Sequence, residues 1–494
     1  MLIITLKLTQ DIYNGSLTLL TDLYQLTMAY AYWKEGLAEK ESVFNLFFRE
    51  NPFGGGYTIS CGLSYVIDFL NQFKFTPEDL DFIRTLQNQD GSRMFEEPFI
   101  AYLGSMEFCC NLDAIPEGRV VFPHEPLIRV QGPIIQGQLI ESALLNMINY
   151  QSLVATKATR ITEAAKGEQV LEFGLRRAQG IDGALSASRA AYIGGCSSTS
   201  NVLAGKLFGI PVSGTHAHSW VMVFDSELEA FSSYARALPD NCVFLIDTYD
   251  TLQGVRNAIE VGKSLKACGK SLIGVRIDSG DLAYFSTKVR EILDKNGFHD
   301  TKIVASNNLD ENIVASLKEQ EAKIDVWGVG TKLVTAFDQP ALGGVYKLSA
   351  IKHGDSWDYK IKLSEQAIKV NNPGIQQVRR FSSNGVFIAD MIYDINSEIG
   401  TDHTMVDPID HTRRKEVSSK NMDYEDLLVP IFKSGKLMYQ DPDVHAIQKR
   451  VRIEIACLDK SIKRFVNPHD YSVGLEKSLF DRKTELILNH RKVK

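Results

Sequence analysis

Leu272–Ile273–Gly274–Val275–Arg276–Ile277–Asp278–Ser279–Gly280–Asp281 begins as an apolar run and ends in charge. Hydrophobicity that is continuous rather than alternating marks a strand covered on both faces, the condition of a parallel sheet. The residues that follow, Leu282 to Lys295, carry the spacing of an amphipathic helix. Outward from this stretch the same unit recurs. Val170–Leu171–Glu172–Phe173 runs into Gly174–Leu175–Arg176–Arg177. Cys242 to Ile246 runs into Asp247–Thr248–Tyr249–Asp250, with a helix from Thr251 to Ala267 behind it. Lys302 to Ala305 ends in Ser306–Asn307–Asn308, and Ile324 to Trp327 ends in Gly328–Val329–Gly330–Thr331. A shorter strand, Gly209 to Ser213, leads into Gly214–Thr215–His216–Ala217–His218–Ser219–Trp220. Roughly six or seven such units predict a parallel α/β barrel in preference to an open sheet, with the polar residues collected at the C-terminal strand ends where such barrels build their sites.

The flanks read differently. Residues 1–138 predict an α+β N-terminal domain: a helix within 16–36, a strand at Val43–Arg49, helices near 64–73 and 77–86, then short strands broken by Pro116, Pro123, Pro126 and Pro133. A long helical pattern from Leu139 to Lys166 opens the barrel segment, 139–352. Residues 353–494 carry more charge, short strands around 386–395 and a closing helix near 478–490; they read as an appended C-terminal domain with no catalytic constellation of its own.

Composition narrows the function. At 494 residues, 44% hydrophobic and 23% charged, the chain is long enough for two or three cores. A net charge of -7 argues against a general nucleic-acid surface, but a few local arginines suffice for a small anionic substrate. The seven cysteines form no C-x-x-C pair, so neither a zinc site nor a disulfide framework is indicated. Adjacent Cys109 and Cys110 are expected to pack as small apolar residues, and the setting to be reducing and cytoplasmic. Met1 to Lys7 is too short an apolar run for a signal peptide, and no stretch has the length of a membrane-spanning helix.

Three groups of residues meet at the strand ends. Gly328, Gly330 and Thr331 let backbone N–H groups and a hydroxyl face a phosphate, although a plain turn needs the same glycines. Asp247, Asp250, Asp278 and Asp281 suit ribose hydroxyls or hydrated Mg²⁺; Asp250 and Asp281 equally suit the N-caps of the helices behind them. Arg176, Arg177 and Arg276 suit a planar carboxylate, with Phe173 as a ring face for a flat heteroaromatic group, or alternatively the arginines pair with nearby acids and Phe173 is core. His216 and His218 add two imidazoles, either of which serves as nucleophile or as a structural hydrogen-bonding group. Together these point to transfer of a phosphoribosyl group, without naming the acceptor.

The motifs resemble those of the nicotinate phosphoribosyltransferase family. They are Thr21–Asp22–Leu23–Tyr24–Gln25–Leu26–Thr27–Met28, Pro52 to Tyr57, Glu172 to Arg177, Gly214–Thr215 with Ala217–His218–Ser219, and Arg276 to Leu282. Ser306–Asn307–Asn308, Gly328 to Thr331, Gly343 to Leu348, and Asn467–Pro468–His469–Asp470–Tyr471 with Val473–Gly474–Leu475 follow in order. Small departures, Ser198 before Thr199 where Gly is frequent and Ser472 in place of a usual Pro, touch none of the site residues.

The resemblance implies an irregular parallel α/β barrel with a sandwich-like N-terminal α+β domain and an appended C-terminal domain. It also implies an ATP-coupled reaction of nicotinate with 5-phosphoribosyl 1-diphosphate, giving nicotinate mononucleotide and diphosphate, formally a ligase step of NAD salvage. It implies His218 as the histidine phosphorylated by ATP, and leaves His216 without that role. Tyr24, Phe173, Arg176, Thr215 and Arg276 match nicotinate-holding positions; Gly328, Gly330, Thr331 and Asn307 match the phosphate end of the donor. Asp278 is expected in catalysis, with Asp247 and Asp281 toward ribose or the diphosphate, and Mg²⁺ held mainly through diphosphate. A homodimer with the site at the subunit interface is implied, and neither nucleic acid nor membrane is an expected partner. The rivals are a nicotinamide-specific enzyme, a quinolinate-type enzyme, and an inactive barrel that binds sugar phosphates.

Overall fold

The apolar runs become six parallel strands: β1 Gln169–Glu172, β2 Ser198–Thr199, β3 Val243–Leu245, β4 Gly274–Ile277, β5 Lys302–Asn307 and β6 Val326–Val329. This is a computed structural model describing residues 15–491, so the Met1 to Lys7 stretch lies outside the described residues. The strand order is β2-β1-β6-β5-β4-β3. First and last strands in sequence, β1 and β6, are hydrogen-bonded neighbours, the topology of a sheet curled back on itself. Helices expected at Thr251–Ala267 and Leu282–Lys295 occupy those spans, each started by an aspartate that accepts a backbone N–H. The expected irregular α/β barrel is what the chain forms.

Its irregularity has a location. Residues 209–213, read as a strand, make a single bridge between Thr199 and Val212. Ser213 N–H donates to Thr199 O, and Thr199 N–H to Pro211 O, both at 3.0 Å. Pro211 has no N–H to donate and Val212 is 48% exposed, so pairing stops there. Among the described residues no strand pairs with the far side of β3, and the barrel has an open seam between Val212 and β3.

The second layer crosses the linear segments. Its seven-stranded sheet runs Ser356–Tyr359, Val345–His353, Glu41–Phe47, Ile128–Pro133, Asn111–Ala114, Val429–Lys433, Lys436–Leu437. A strand from the barrel segment and three from the C-terminal segment thus complete the N-terminal sheet. Helix Glu141–Ala164, buried along most of its length, packs this layer on the barrel. The remaining C-terminal strands form a separate six-stranded sheet. Fully buried Arg380 ties that sheet inward: it pairs with Asp390 and Glu454 and donates to Val120 O at 2.9 Å. Removing either acid would strand a buried charge, a loss of about 3–5 kcal/mol.

Smaller expectations resolve individually. The first helix is Leu23–Lys34, opened by Asp22 rather than Ser16 or Thr18, and the Asp22 carboxylate accepts the Ser142 hydroxyl at 2.5 Å. Cys110 is buried as expected, but Cys109 is exposed. No described helix is long and apolar enough to cross a membrane.

Candidate active site

Strand pairing fixes the first wall of the barrel mouth. In the β4–β5–β6 register, Ser306 stands beside Gly328 and Val304 beside Arg276. Arg276 reaches up from β4 and is shared among three acceptors: its Nε donates to Ser306 Oγ at 2.8 Å, one terminal nitrogen to Thr215 Oγ1 at 3.0 Å, the other to Asp278 Oδ1 at 2.9 Å. The Ser306 hydroxyl also donates to Asp278. Burial works to raise the Asp278 pKa, but the Ser306 hydroxyl and the Arg276 guanidinium outweigh it and hold the carboxyl below its usual value.

Phe173 lies beneath this group. Its ring centroid is 5.7 Å from the Arg276 guanidinium carbon. A Cβ on Gly328 would sit 2.8 Å from the Phe173 ring, and one on Gly330 2.9 Å from Phe173 O, so both positions need glycine for close approach. The glycine-rich stretch therefore shapes the seat of the ring, and Thr331 follows at the first turn of a short helix. Glu172, just before Phe173, is fully buried; it accepts the Gly174 N–H and the Ser188 and Thr199 hydroxyls, so it serves structure rather than the cleft. Asn307, at the end of β5, holds a φ of 146° and borders a 270 Å³ cleft with Gly280, Leu282 and Asn308.

His218 stands on the loop that follows the Thr199–Val212 bridge. Its side chain is 41% exposed; Nδ1 lies 3.2 Å from the Thr248 hydroxyl and Nε2 4.0 Å from Asp278 Oδ2. Asp247 supports Asp278 from below, accepting its N–H at 2.9 Å and the Ser279 hydroxyl at 2.6 Å through Oδ2. Its Oδ1 is buried and has no hydrogen-bond partner among the described residues. Asp281 and Asp250 cap their helices, accepting Tyr284 N–H at 3.0 Å and Gln253 N–H at 2.7 Å, which is the capping alternative.

The structure thus joins Phe173, Thr215, His218, Asp247, Arg276, Asp278 and the Gly328–Thr331 stretch into one mouth. Arg176 is exposed on the turn after β1 and makes no ion pair among the described residues. Tyr24 is not brought to the mouth within this chain. It lies on the N-terminal layer, where burial, then the charges of Glu141 and Asp22, raise its phenol pKa. Thr248 and Ser306, which a sequence reading flags only as parts of strand ends, emerge as partners of the imidazole and of the guanidinium.

The barrel mouth thus sets a tethered guanidinium over a ring face, beside a glycine-rich loop and an exposed imidazole, groups of the kind that complement small anions. Profiles of the nicotinate phosphoribosyltransferase N-terminal domain, family and C-terminal domain match residues 19–149, 169–364 and 375–483. The nicotinate phosphoribosyltransferase of Bacillus subtilis is 46% identical over 481 residues, 96% of both chains. That of Homo sapiens is 33% identical over 517 residues, covering 93% of this chain and 95% of the human one. The crystal structure of human nicotinic acid phosphoribosyltransferase superposes with a TM-score of 0.82 at 30% identity, covering 95% of this chain and 100% of that one. The nicotinate-nucleotide pyrophosphorylase of Pyrococcus furiosus shares the fold, with a TM-score of 0.69 at 21% identity over 92% of this chain and 99% of that one. The chain belongs to the nicotinate phosphoribosyltransferase family.

Proposed function

We propose that this chain transfers the phosphoribosyl group of 5-phosphoribosyl 1-diphosphate to nicotinate, coupled to ATP through phosphorylation of His218. The observation that carries the reading is Arg276, poised over Phe173 and beside Thr215, in a chain of this family. A guanidinium so placed pairs with the pyridine carboxylate while the ring lies on Phe173, with Arg176 at the rim. Nicotinamide offers no charge to that guanidinium, which favours the acid over the amide.

The ring nitrogen then forms its bond to the anomeric carbon as the carbon–oxygen bond to diphosphate breaks. Gly328, Gly330, Thr331 and Asn307 receive the 5-phosphate through backbone N–H groups and a hydroxyl. Asp278 and Asp247, with Asp281 at the edge, face the ribose and the diphosphate. The unpartnered Asp247 Oδ1 and the low pKa of Asp278 fit a hydrated Mg²⁺ held largely by diphosphate oxygens, and the described residues contain no group of three metal-ligating side chains. Bound there, Mg²⁺ would neutralise the leaving group. In the coupled step an imidazole nitrogen of His218 takes the γ-phosphoryl of ATP, ADP leaves, and water later releases phosphate.

Tyr24 is 51% exposed amid Leu17, Leu20 and Leu23, themselves 43–49% exposed, which supports a homodimer in which a second copy brings Tyr24 to the mouth. The cysteines, free among the described residues, support a reducing, cytoplasmic setting. The deciding assay measures mononucleotide formed from nicotinate and from nicotinamide, each with and without ATP. Preference for nicotinamide, or indifference to ATP, would overturn the corresponding half of the reading.

A further inference from the structure

His216 is the imidazole that the reaction does not use, and it is only 7% exposed. Its ring is packed against Phe231, Tyr234 and Phe244, at centroid distances of 5.9, 5.2 and 6.2 Å. Its Nε2 accepts the backbone N–H of Leu245 at 3.2 Å. Leu245 is the last residue of β3, the strand with no neighbour on its seam side among the described residues. An acceptor at Nε2 places the proton on Nδ1, which donates to Ala217 O at 3.3 Å. Burial first, and then the charge of Arg276, keep this ring neutral, with a pKa lowered to about 4.

We propose that His216 is a positioning residue: its ring replaces the strand-to-strand hydrogen bond missing at the barrel seam and so holds the Thr215–His218 loop against β3. Thr215, one residue before, accepts from Arg276; His218, two residues after, meets Thr248 just beyond β3. Consecutive Cα atoms are ~3.8 Å apart across rigid peptides, so an anchor at 216 limits how far either neighbour can stray. Without it the loop keeps the Thr199–Val212 bridge behind it and the side-chain contacts of Thr215 and His218, but loses its backbone tie to β3. The role is distinct from that of His218: one ring is buried and structural, the other reachable and reactive.

The kinetic part of the test rests on the nicotinate reading; the exchange part does not. His216→Phe keeps the ring packing and removes the acceptor; His216→Gln offers an amide oxygen in place of Nε2. In the full-length protein, His216→Phe is expected to expose the Leu245 amide to rapid hydrogen exchange, raise the nicotinate KM and lower kcat by about 10- to 100-fold, the scale of a displaced catalytic group. His216→Gln is expected to keep the Leu245 amide protected and to hold kcat and KM within about threefold. A folded His216→Phe protein with wild-type kcat, KM and Leu245 protection overturns the proposal. So does a His216→Gln protein that protects Leu245 yet is as impaired as His216→Phe. If His216→Phe does not fold, His216→Asn, too short to reach Leu245, takes its place with the same two outcomes. Absence of product from nicotinate in the wild type would sink the functional reading alone, because Leu245 exchange in the variants still decides whether His216 holds the seam.

Discussion

On the β4–β5–β6 wall of the barrel mouth, Arg276 and Ser306 stand on strands hydrogen-bonded in register to neighbours on both sides. Across the seam, Thr215 and His218 stand on a loop that reaches β3 only through side chains. The groups that would grip a substrate carboxylate lie on the stitched wall, and the group that would carry a phosphoryl lies on the unstitched one. A carboxylate clamp needs fixed geometry. A phosphoryl acceptor must meet two successive ligands in one mouth, and a loop tethered by side chains tolerates small shifts that a paired strand would resist.

The largest break in this contrast is His218→Ala. It is expected to abolish ATP hydrolysis and to lower ATP-dependent nucleotide formation by on the order of 100-fold or more, with the fold intact, measured by ADP release and product assay. ATP turnover surviving in that protein would remove the acceptor role from the seam wall. Next comes Arg276→Ala, which should raise the nicotinate KM by about 10- to 100-fold, the loss of a hydrogen-bonded charge pair. An unchanged KM would place the carboxylate elsewhere. Ser306→Ala sharpens the comparison, because it loosens Arg276 and Asp278 together; a KM increase of about 3- to 10-fold is expected from steady-state kinetics.

A further effect, on stability rather than turnover, appears only in acid. Burial, opposed or aided by neighbouring charges, lowers both His216 and His124 to a pKa of about 4. Unfolded histidine titrates at about 6.5, so between these values the unfolded chain binds more protons. The stability contributed by each neutral ring is therefore complete above about pH 6.5 and lost as pH falls toward 4, an order-of-magnitude change of roughly 3 kcal/mol per ring. His216→Gln should flatten this acid limb in denaturant melts taken from pH 7 to 4. A limb of unchanged slope would mean that the seam ring already titrates normally.

Much of this was readable in the residues, for local reasons. The helices at 251–267 and 282–295 begin where Asp250 and Asp281 supply caps, and capping is a property of adjacent residues. Charged strand ends collected at one mouth because a parallel sheet repeats its polarity. The seam was only partly readable: Gly209 to Ser213 has the apolar content of a strand, and it is Pro211, without an N–H to donate, together with the lack of a partner on one side among the described residues, that reduces it to a bridge. Nor does sequence show that the Thr248 hydroxyl meets His218 across a separation of 30 residues. Tyr24 entered through family resemblance alone, and its distance from the mouth is a fact of tertiary placement.

The strand Glu41–Phe47 pairs with Ile128–Pro133 on one side and with Val345–His353 on the other. During synthesis its second partner emerges roughly 300 residues later, a delay of about 15–60 s at 5–20 residues per second. Throughout that interval Val43, Phe44, Leu46 and Phe47, all buried in the finished protein, belong to a strand with one bare edge. The nascent chain must therefore present a sticky, half-built sheet to its surroundings while the whole barrel is being made. Ribosome-stalled chains ending before residue 345 are the species that would recruit holdase chaperones, and those extended well past 353 the species that would release them.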